Sequence, residues 1–219
     1  MERATLDHEI GQLKDEMLIL GALVEEAILG AATALKDHNE ENALLIARRD
    51  ALINSKRFET EGATIVVIAT QQPVAHDLRV LTSILDLCTE LERMGDYAKG
   101  IAVIQLRSGG LGLPKLLADL QYMAEKAVDM LHRALRAFQA EDMESAQSIA
   151  REDDLIDALY KNVYDEAINN VIHDATRMER INYLVWAAHN LERAADRVTN
   201  ICERTVFVVT GEQVELSHP

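Results

Sequence analysis

Near the start of the chain, apolar residues recur at Leu6, Ile10, Leu13, Met17, Leu20, Val24, Ile28, Ala31 and Leu35. These alternating steps of four and three mark one face of an α-helix packed in a bundle. The spacing predicts a first helix of about thirty residues, near 45 Å at 1.5 Å per residue. It ends at KDHNEEN, a polar run rich in turn formers, and a second helical stretch is predicted from about Asn42 to Thr70. QQPVAHDLR then opens a third, running to about Arg107. Pro73 suits the first turn of that helix, where a missing amide is no loss, and Asp77 adds a charge favourable to the same end. The one glycine-rich stretch, SGGLGLP from Ser108 to Pro114, reads as a linker.

After it the pattern starts again. Leu116 to Gln139 is amphipathic, AEDM turns the chain, Glu144 to His173 is helical, DATRME turns it once more, and Ile181 to about Thr210 is the last predicted helix. The repetition is visible residue by residue. Ala43, Ala47, Arg48, Asp50, Leu52 and Ile53 match Ala146, Ala150, Arg151, Asp153, Leu155 and Ile156 at a constant offset of 103. Leu91, Glu92, Arg93 and Asp96 match Leu191, Glu192, Arg193 and Asp196 at an offset of 100, a difference absorbed by the loop between the helices. Internal duplication of a three-helix unit accounts for both. The expected architecture is all-α, with two tandem three-helix bundles related by internal pseudo-symmetry. Residues 1–107 form the first, 108–114 the linker, 115–210 the second, and 211–219 a tail.

Composition supports helices: 48% of residues are hydrophobic and 27% charged, but only 4% are aromatic and three are proline. Lys and Arg number 22 against 37 Asp and Glu, giving a net charge of −15. Such a surface repels phosphate backbones and anionic lipid alike, so no nucleic-acid partner is expected. The opening MERATLDHEIGQLKDE is charged throughout, unlike a signal peptide, and no run approaches the roughly 18 to 20 uncharged residues of a membrane span. A cytoplasmic protein without direct membrane insertion is expected. Cys88 and Cys202 fall inside apolar helix patterns and read as small core residues.

The chemistry-bearing motif is Leu-Glu-Arg-x-x-Asp, written once at Leu91 to Asp96 and again at Leu191 to Asp196. Glu92 follows Leu85 by seven and Leu78 by fourteen, so it projects along nearly the same line, with Asp96 one turn further on. Carboxylates on or beside an apolar stripe are costly unless compensated. The neighbouring helix of each copy offers a matching pair, Asp50 with Asn54 in the first and Asp153 with Asp157 in the second. Antiparallel neighbours would bring each four-residue set together as an all-oxygen cluster. That chemistry suits hard cations such as Mg, Ca, Mn or ferric iron rather than zinc. The alternative is that Arg93 and Arg193 neutralise the acids with no metal involved, a common arrangement on solvated helices. His189, three residues before Glu192, reads as a surface or partly buried residue.

QQPVAHDLR, LERMGDYAKGI, REDDLIDALY, LERAADRVTNICE and the closing VFVVTGE together resemble the PhoU family of phosphate transport system regulatory proteins. The resemblance spans essentially the whole chain, in order and spacing. It implies two symmetry-related three-helix bundles whose paired acidic motifs carry multinuclear metal clusters, iron among the metals. By position these are Asp50, Glu92 and Asp96 in the first bundle, and Asp153, Asp157, Glu192 and Asp196 in the second. Asn54 stands where an acid is usual, so the first cluster is expected to be the weaker. Tyr97 and Arg197 stand where the family often has His.

The implied role is regulatory. Such proteins are cytoplasmic, commonly homodimeric, and couple the ATPase subunit of the phosphate ABC transporter (PstB-like) to a sensor histidine kinase (PhoR-like). They hold the phosphate-starvation regulon quiet and limit uptake. A metal-binding or structural helical adaptor is the rival reading. A ferritin-like oxidase would need Glu-x-x-His on core helices, and the only instance runs from Glu215 to His218 in the tail. A nucleotide-hydrolysing enzyme would need a phosphate-cradling loop, and GGLGLPK lacks the Gly-Lys-Ser/Thr ending, so no ATPase activity is expected.

Overall fold

A computed structural model of the chain describes residues 2–216; His218 and the rest of the tail from residue 217 lie outside the described residues. Seven α-helices follow one another among the described residues: α1 (Glu2–Lys36), α2 (Glu40–Gln71), α3 (Ala75–Ser108), α4 (Pro114–Ala140), α5 (Met143–Ala150), α6 (Asp153–His173) and α7 (Met178–Thr210). A 3-10 turn, Ala175–Arg177, precedes α7, and no strand occurs among the described residues. The ends obey local chemistry. Asn39 caps α2 by accepting the Asn42 amide at 3.0 Å, and Asp142 caps α5 by accepting that of Ser145 at 3.0 Å. Pro114 opens α4, and Gly109 and Gly211 close α3 and α7 in left-handed conformations.

Every apolar position of the predicted α1 stripe is buried, from Leu6 to Leu35. By length and composition α1 is also the one helix among the described residues apolar enough to cross a membrane. The sequence reading missed this because it sought an uncharged run. In the fold the stripe faces the core, where each fully buried large side chain contributes about 1.5–3 kcal/mol.

α1, α2 and α3 pack together as one bundle, and α4 to α7 as the other. They meet along two seams, α3 against α7 and α1 against α4. The helices α1, α3, α7 and α4 thus ring a continuous apolar core, flanked by α2 on one side and α5 and α6 on the other. At the α1/α4 seam the approach is so close that a Cβ on Gly21 would lie 2.2 Å from Leu135 Cδ1. Leu111 is fully buried, so the glycine-rich connection docks on the bundles rather than hanging free.

Three details depart from the sequence pattern. The predicted helix from Glu144 to His173 is two, broken at Arg151 and Glu152, where Arg133 of α4 holds the Glu152 carboxylate through two hydrogen bonds of 2.7 and 2.5 Å. Pro73 lies before α3 rather than in its first turn. Val74 caps the helix, and Gln72 and Ala75 take left-handed conformations with φ of 49° and 47°. Lastly, Leu78 is 39% exposed and Leu85 half-buried, so the line from Leu78 to Glu92 borders the core rather than belonging to it. The core line of α3 runs through Leu81, Ile84, Leu87, Leu91 and Met94.

Candidate metal centre

Two copies of one helix pair position the acids. In the first, α2 packs on α3; in the second, α6 packs on α7. Leu91 and Leu191 are buried and anchor the duplicated motif, which leaves the next residue, Glu92 or Glu192, at the half-buried margin.

The first set is neutralised from within. Asp50, buried on α2, accepts from Lys99 Nζ of α3 at 2.7 Å and from Asn54 Nδ2 at 3.2 Å, both through Oδ2. That hydrogen bond, reinforced by the charges of Asp50, Asp96 and Glu92, raises the Lys99 ammonium above its ordinary range. Arg57 Nη1 lies 3.4 Å from Glu92 Oε1, and its Nε bonds Glu61 at 2.7 Å. Asp96 is exposed. Of this set only Asp50 Oδ1 is a buried oxygen without a partner.

The second set is crowded with negative charge. Asp153, Asp157 and Asp196 each bring a carboxylate oxygen within 4.8 Å of the others, the only such group among the described residues. Asp153 Oδ1 and Glu192 Oε2 are buried without hydrogen-bond partners. Burial, then the charges of Asp196, Asp157 and Glu192, push the Asp153 carboxyl up to about 7. Burial and Asp196 likewise raise Asp157 and Glu192, with His189 and Arg193 drawing Glu192 the other way. Arg193 Nη1 binds Asp196 Oδ2 at 2.6 Å, the one Arg or Lys bonded to the set among the described residues. Orphaned buried oxygens facing other carboxylates are what a hard cation relieves, so the donors of the second set fit a metal. Those of the first do not, because two cations already stand among them.

The cause of this divergence can be read position by position. Asn54 corresponds to Asp157, Arg57 to Tyr160, and Lys99 to Thr199. At each position the first copy is the more positive. Arg93, the apparent partner of Glu92, instead pairs with Glu90 at 3.2 Å. The residues that sequence reasoning missed are Lys99 and Arg57. Lys99 lies seven residues after Glu92 on α3, a spacing that signals a shared face, whereas Arg57 reaches the set from α2. His189 Nδ1 lies 3.3 Å from Glu192 Oε2, and its ring stacks 6.1 Å from that of Tyr160. Its i, i+3 spacing to Glu192 was the available signal.

The seam between α3 and α7 carries the pseudo-symmetry. Glu90 Oε2 accepts from Asn200 Nδ2 at 2.9 Å and Arg197 Nη1 at 3.2 Å, while Gly100 meets Asn190 at the equivalent crossing. Tyr97 bonds Arg193 and so is engaged at the seam, as is Arg197. Burial pushes the Cys88 and Cys202 thiols up to about 12, which suits inert packing.

A family model described as the PhoU domain matches residues 17–104 and again residues 120–205. The chain belongs to the PhoU family. The PhoU homologue of Clostridium acetobutylicum, named a phosphate-specific transport system accessory protein, is 32% identical over 218 residues, covering 99% of this chain and 100% of its own. A homologue of the same name from Streptococcus pneumoniae serotype 4 is 36% identical over 217 residues, or 98% of this chain and 100% of its own. The fold is also similar to the crystal structure of PhoU from Pseudomonas aeruginosa, with a TM-score of 0.88 and 28% identity over 94% of this chain and 99% of that one. The structure of the phosphate transport system regulatory protein PhoU from Streptococcus pneumoniae gives 0.87, with 34% identity over 95% and 99%. Each PhoU domain match contains one copy of the acidic motif, so the two sets are equivalent sites of two PhoU repeats.

Proposed function

We propose that this protein is a regulatory accessory of phosphate-specific transport that restrains phosphate uptake and keeps the phosphate-starvation genes quiet when phosphate is plentiful. The full-length likeness to chains named phosphate-specific transport system accessory proteins carries the reading. On it, the protein works in the cytoplasm as a homodimer and couples the ATPase subunit of the phosphate ABC transporter to the sensor histidine kinase. No reaction is assigned to it. Its net charge of −15 suits docking onto basic partner surfaces, where charge complementarity sets the encounter rate and register.

Within that role, the second acidic set is proposed to hold a hard cation, iron, Mn, Mg or Ca, through Asp153, Asp157 and Asp196 with Glu192 beside them. A bound cation would supply positive charge where α6 meets α7, and the carboxylates would hold the two helices in register. For Asp50, Asn54, Glu92 and Asp96 the structural reading is favoured, because Lys99 and Arg57 already neutralise them.

The regulatory role is tested with a phosphate-starvation reporter in a strain lacking the gene. Deletion is expected to release the reporter in high phosphate, and complementation with this chain to silence it. Unchanged repression after deletion contradicts the assignment.

A further inference from the structure

The outward face of α2 is apolar where a solvated helix is ordinarily polar. Leu44, Leu45, Leu52, Phe58, Ile65 and Val66 are each between 42% and 64% exposed. They fall on two adjacent lines of seven-residue spacing. Leu44, Phe58 and Ile65 share one with Ala51, and Leu45, Leu52 and Val66 share the other with Glu59, so one stripe runs the length of the helix. The acidic set lies elsewhere on α2, where Asp50 is buried and bonded to Lys99 of α3.

The second repeat provides the comparison. At the offset of 103, α5 and α6 carry Gln147, Ser148, Lys161 and Asn169 where α2 carries Leu44, Leu45, Phe58 and Val66. The repeat therefore accepts polar side chains at these positions, and the apolar stripe is peculiar to α2. Gly62, exposed in the middle of the stripe, corresponds to Asp165. A Cβ at Gly62 would meet nothing within 4 Å in this chain. The chain's own packing does not require that glycine, although a glycine inside a helix is destabilising relative to alanine.

We propose that two copies of this chain pair through the stripe, α2 against α2 in antiparallel register about Ser55. Such an interface belongs to the homodimer of the proposed function and rests on that reading. Antiparallel pairing brings Leu44 and Leu45 onto the partner's Ile65 and the partner's Val66. It sets Phe58 over the partner's Ala51 and Arg48 against the partner's Gly62, large side chains opposite small ones. Arg48 then comes within reach of the partner's Glu59, and the two-fold axis repeats the pair. Neither residue forms an ion pair among the described residues, where Glu59 accepts only from Ser55 Oγ at 3.1 Å. A parallel pair would instead set Arg48 against the partner's Arg48. The six apolar side chains leave on the order of 600 Å² bare, the upper end for a monomer, and covering two such stripes removes about 1,000 Å² or more, the size of a specific interface.

Sedimentation equilibrium of the full-length protein is expected to show a dimer. Giving α2 the residues of the second repeat, Leu45→Ser with Phe58→Lys and Val66→Asn, is expected to weaken association about a hundredfold or more while the helical circular dichroism is kept. Ile168→Ser on α6 is expected to leave the dimer intact. Arg48→Glu is expected to weaken it about tenfold, and Arg48→Glu with Glu59→Arg to restore it. Because Cys88 and Cys202 are buried, oxidation of Ser55→Cys is expected to join two chains at the axis, and oxidation of Ala158→Cys, the α6 equivalent, to join none. A chain that stays monomeric overturns the interface and the homodimer together. A dimer that survives the triple substitution and yields no Ser55→Cys cross-link overturns the α2 interface alone and leaves the homodimer standing. Failure of the charge exchange to restore association overturns the antiparallel register.

Discussion

The two acidic sets are copies of one design on one pair of helices, yet their electrostatics are opposed. In the first set Lys99 pairs with the buried Asp50 and Arg57 with Glu92, while Asp96 is exposed. Around Asp153 and Asp196, four acids face Arg193 alone, with His189 beside Glu192. Three substitutions account for the difference: Asn54 against Asp157, Arg57 against Tyr160, and Lys99 against Thr199. A backbone can therefore preserve the placement of a site while a few side chains decide whether it carries its own counter-charge or must obtain one.

The largest effect expected from breaking this comparison concerns metal. At a free cation concentration a hundred times the dissociation constant, a site confined to the folded state stabilises it by about 2.7 kcal/mol. Asp153→Asn combined with Asp196→Asn is expected to abolish that rise in thermal or urea stability. The next effect lies in the first set. Lys99→Ala leaves Asp50 buried without its cation and is expected to cost about 1–2 kcal/mol in a urea unfolding curve, less than the roughly 3–5 kcal/mol of a fully buried pair because Lys99 is itself half exposed.

A smaller effect appears in chelator-treated protein as pH is varied. The folded state keeps the Asp153 carboxyl protonated up to about pH 7, whereas the unfolded chain releases that proton near pH 4. This group therefore favours folding below about pH 4, and that contribution is lost as pH rises from about 4 to 7. Asp153→Asn is expected to flatten this slope and to stabilise the metal-free protein at pH 8 by about 1 kcal/mol, after allowing for solvent screening at a half-exposed site. The smallest effect is at Arg93, whose exposed pair with Glu90 predicts about 0.5 kcal/mol or less for Arg93→Ala.

Much of this was legible in the sequence because helical periodicity is a local signal. The α1 stripe from Leu6 to Leu35 was read position for position, and the duplication placed both motifs on corresponding helices. The break between α5 and α6 was not legible: Arg151 and Glu152 include neither glycine nor proline, and Glu152 is held from α4 by Arg133, a contact made only after folding. The strained elbow at Gln72 and Ala75 was hidden for a similar reason, since Pro73 alone fits either side of a helix start. At the site, the spacing of Glu92, Asp96, Glu192 and Asp196 was visible, but neutralisation was not. It depends on Lys99 reaching α2 and Arg57 reaching α3, and only the packed helices decide which cation meets which acid.

The most direct measurement is the metal content of three proteins after equilibration with the same hard cation: the unaltered chain, Asp153→Asn with Asp196→Asn, and Glu92→Gln with Asp96→Asn. The unaltered chain and the first-set variant are expected to retain the same content, and the second-set variant to lose it. Equal loss in both variants, or an unaltered chain that takes up no metal, would contradict the claim that the copies have diverged into one cation-binding set and one neutralised set.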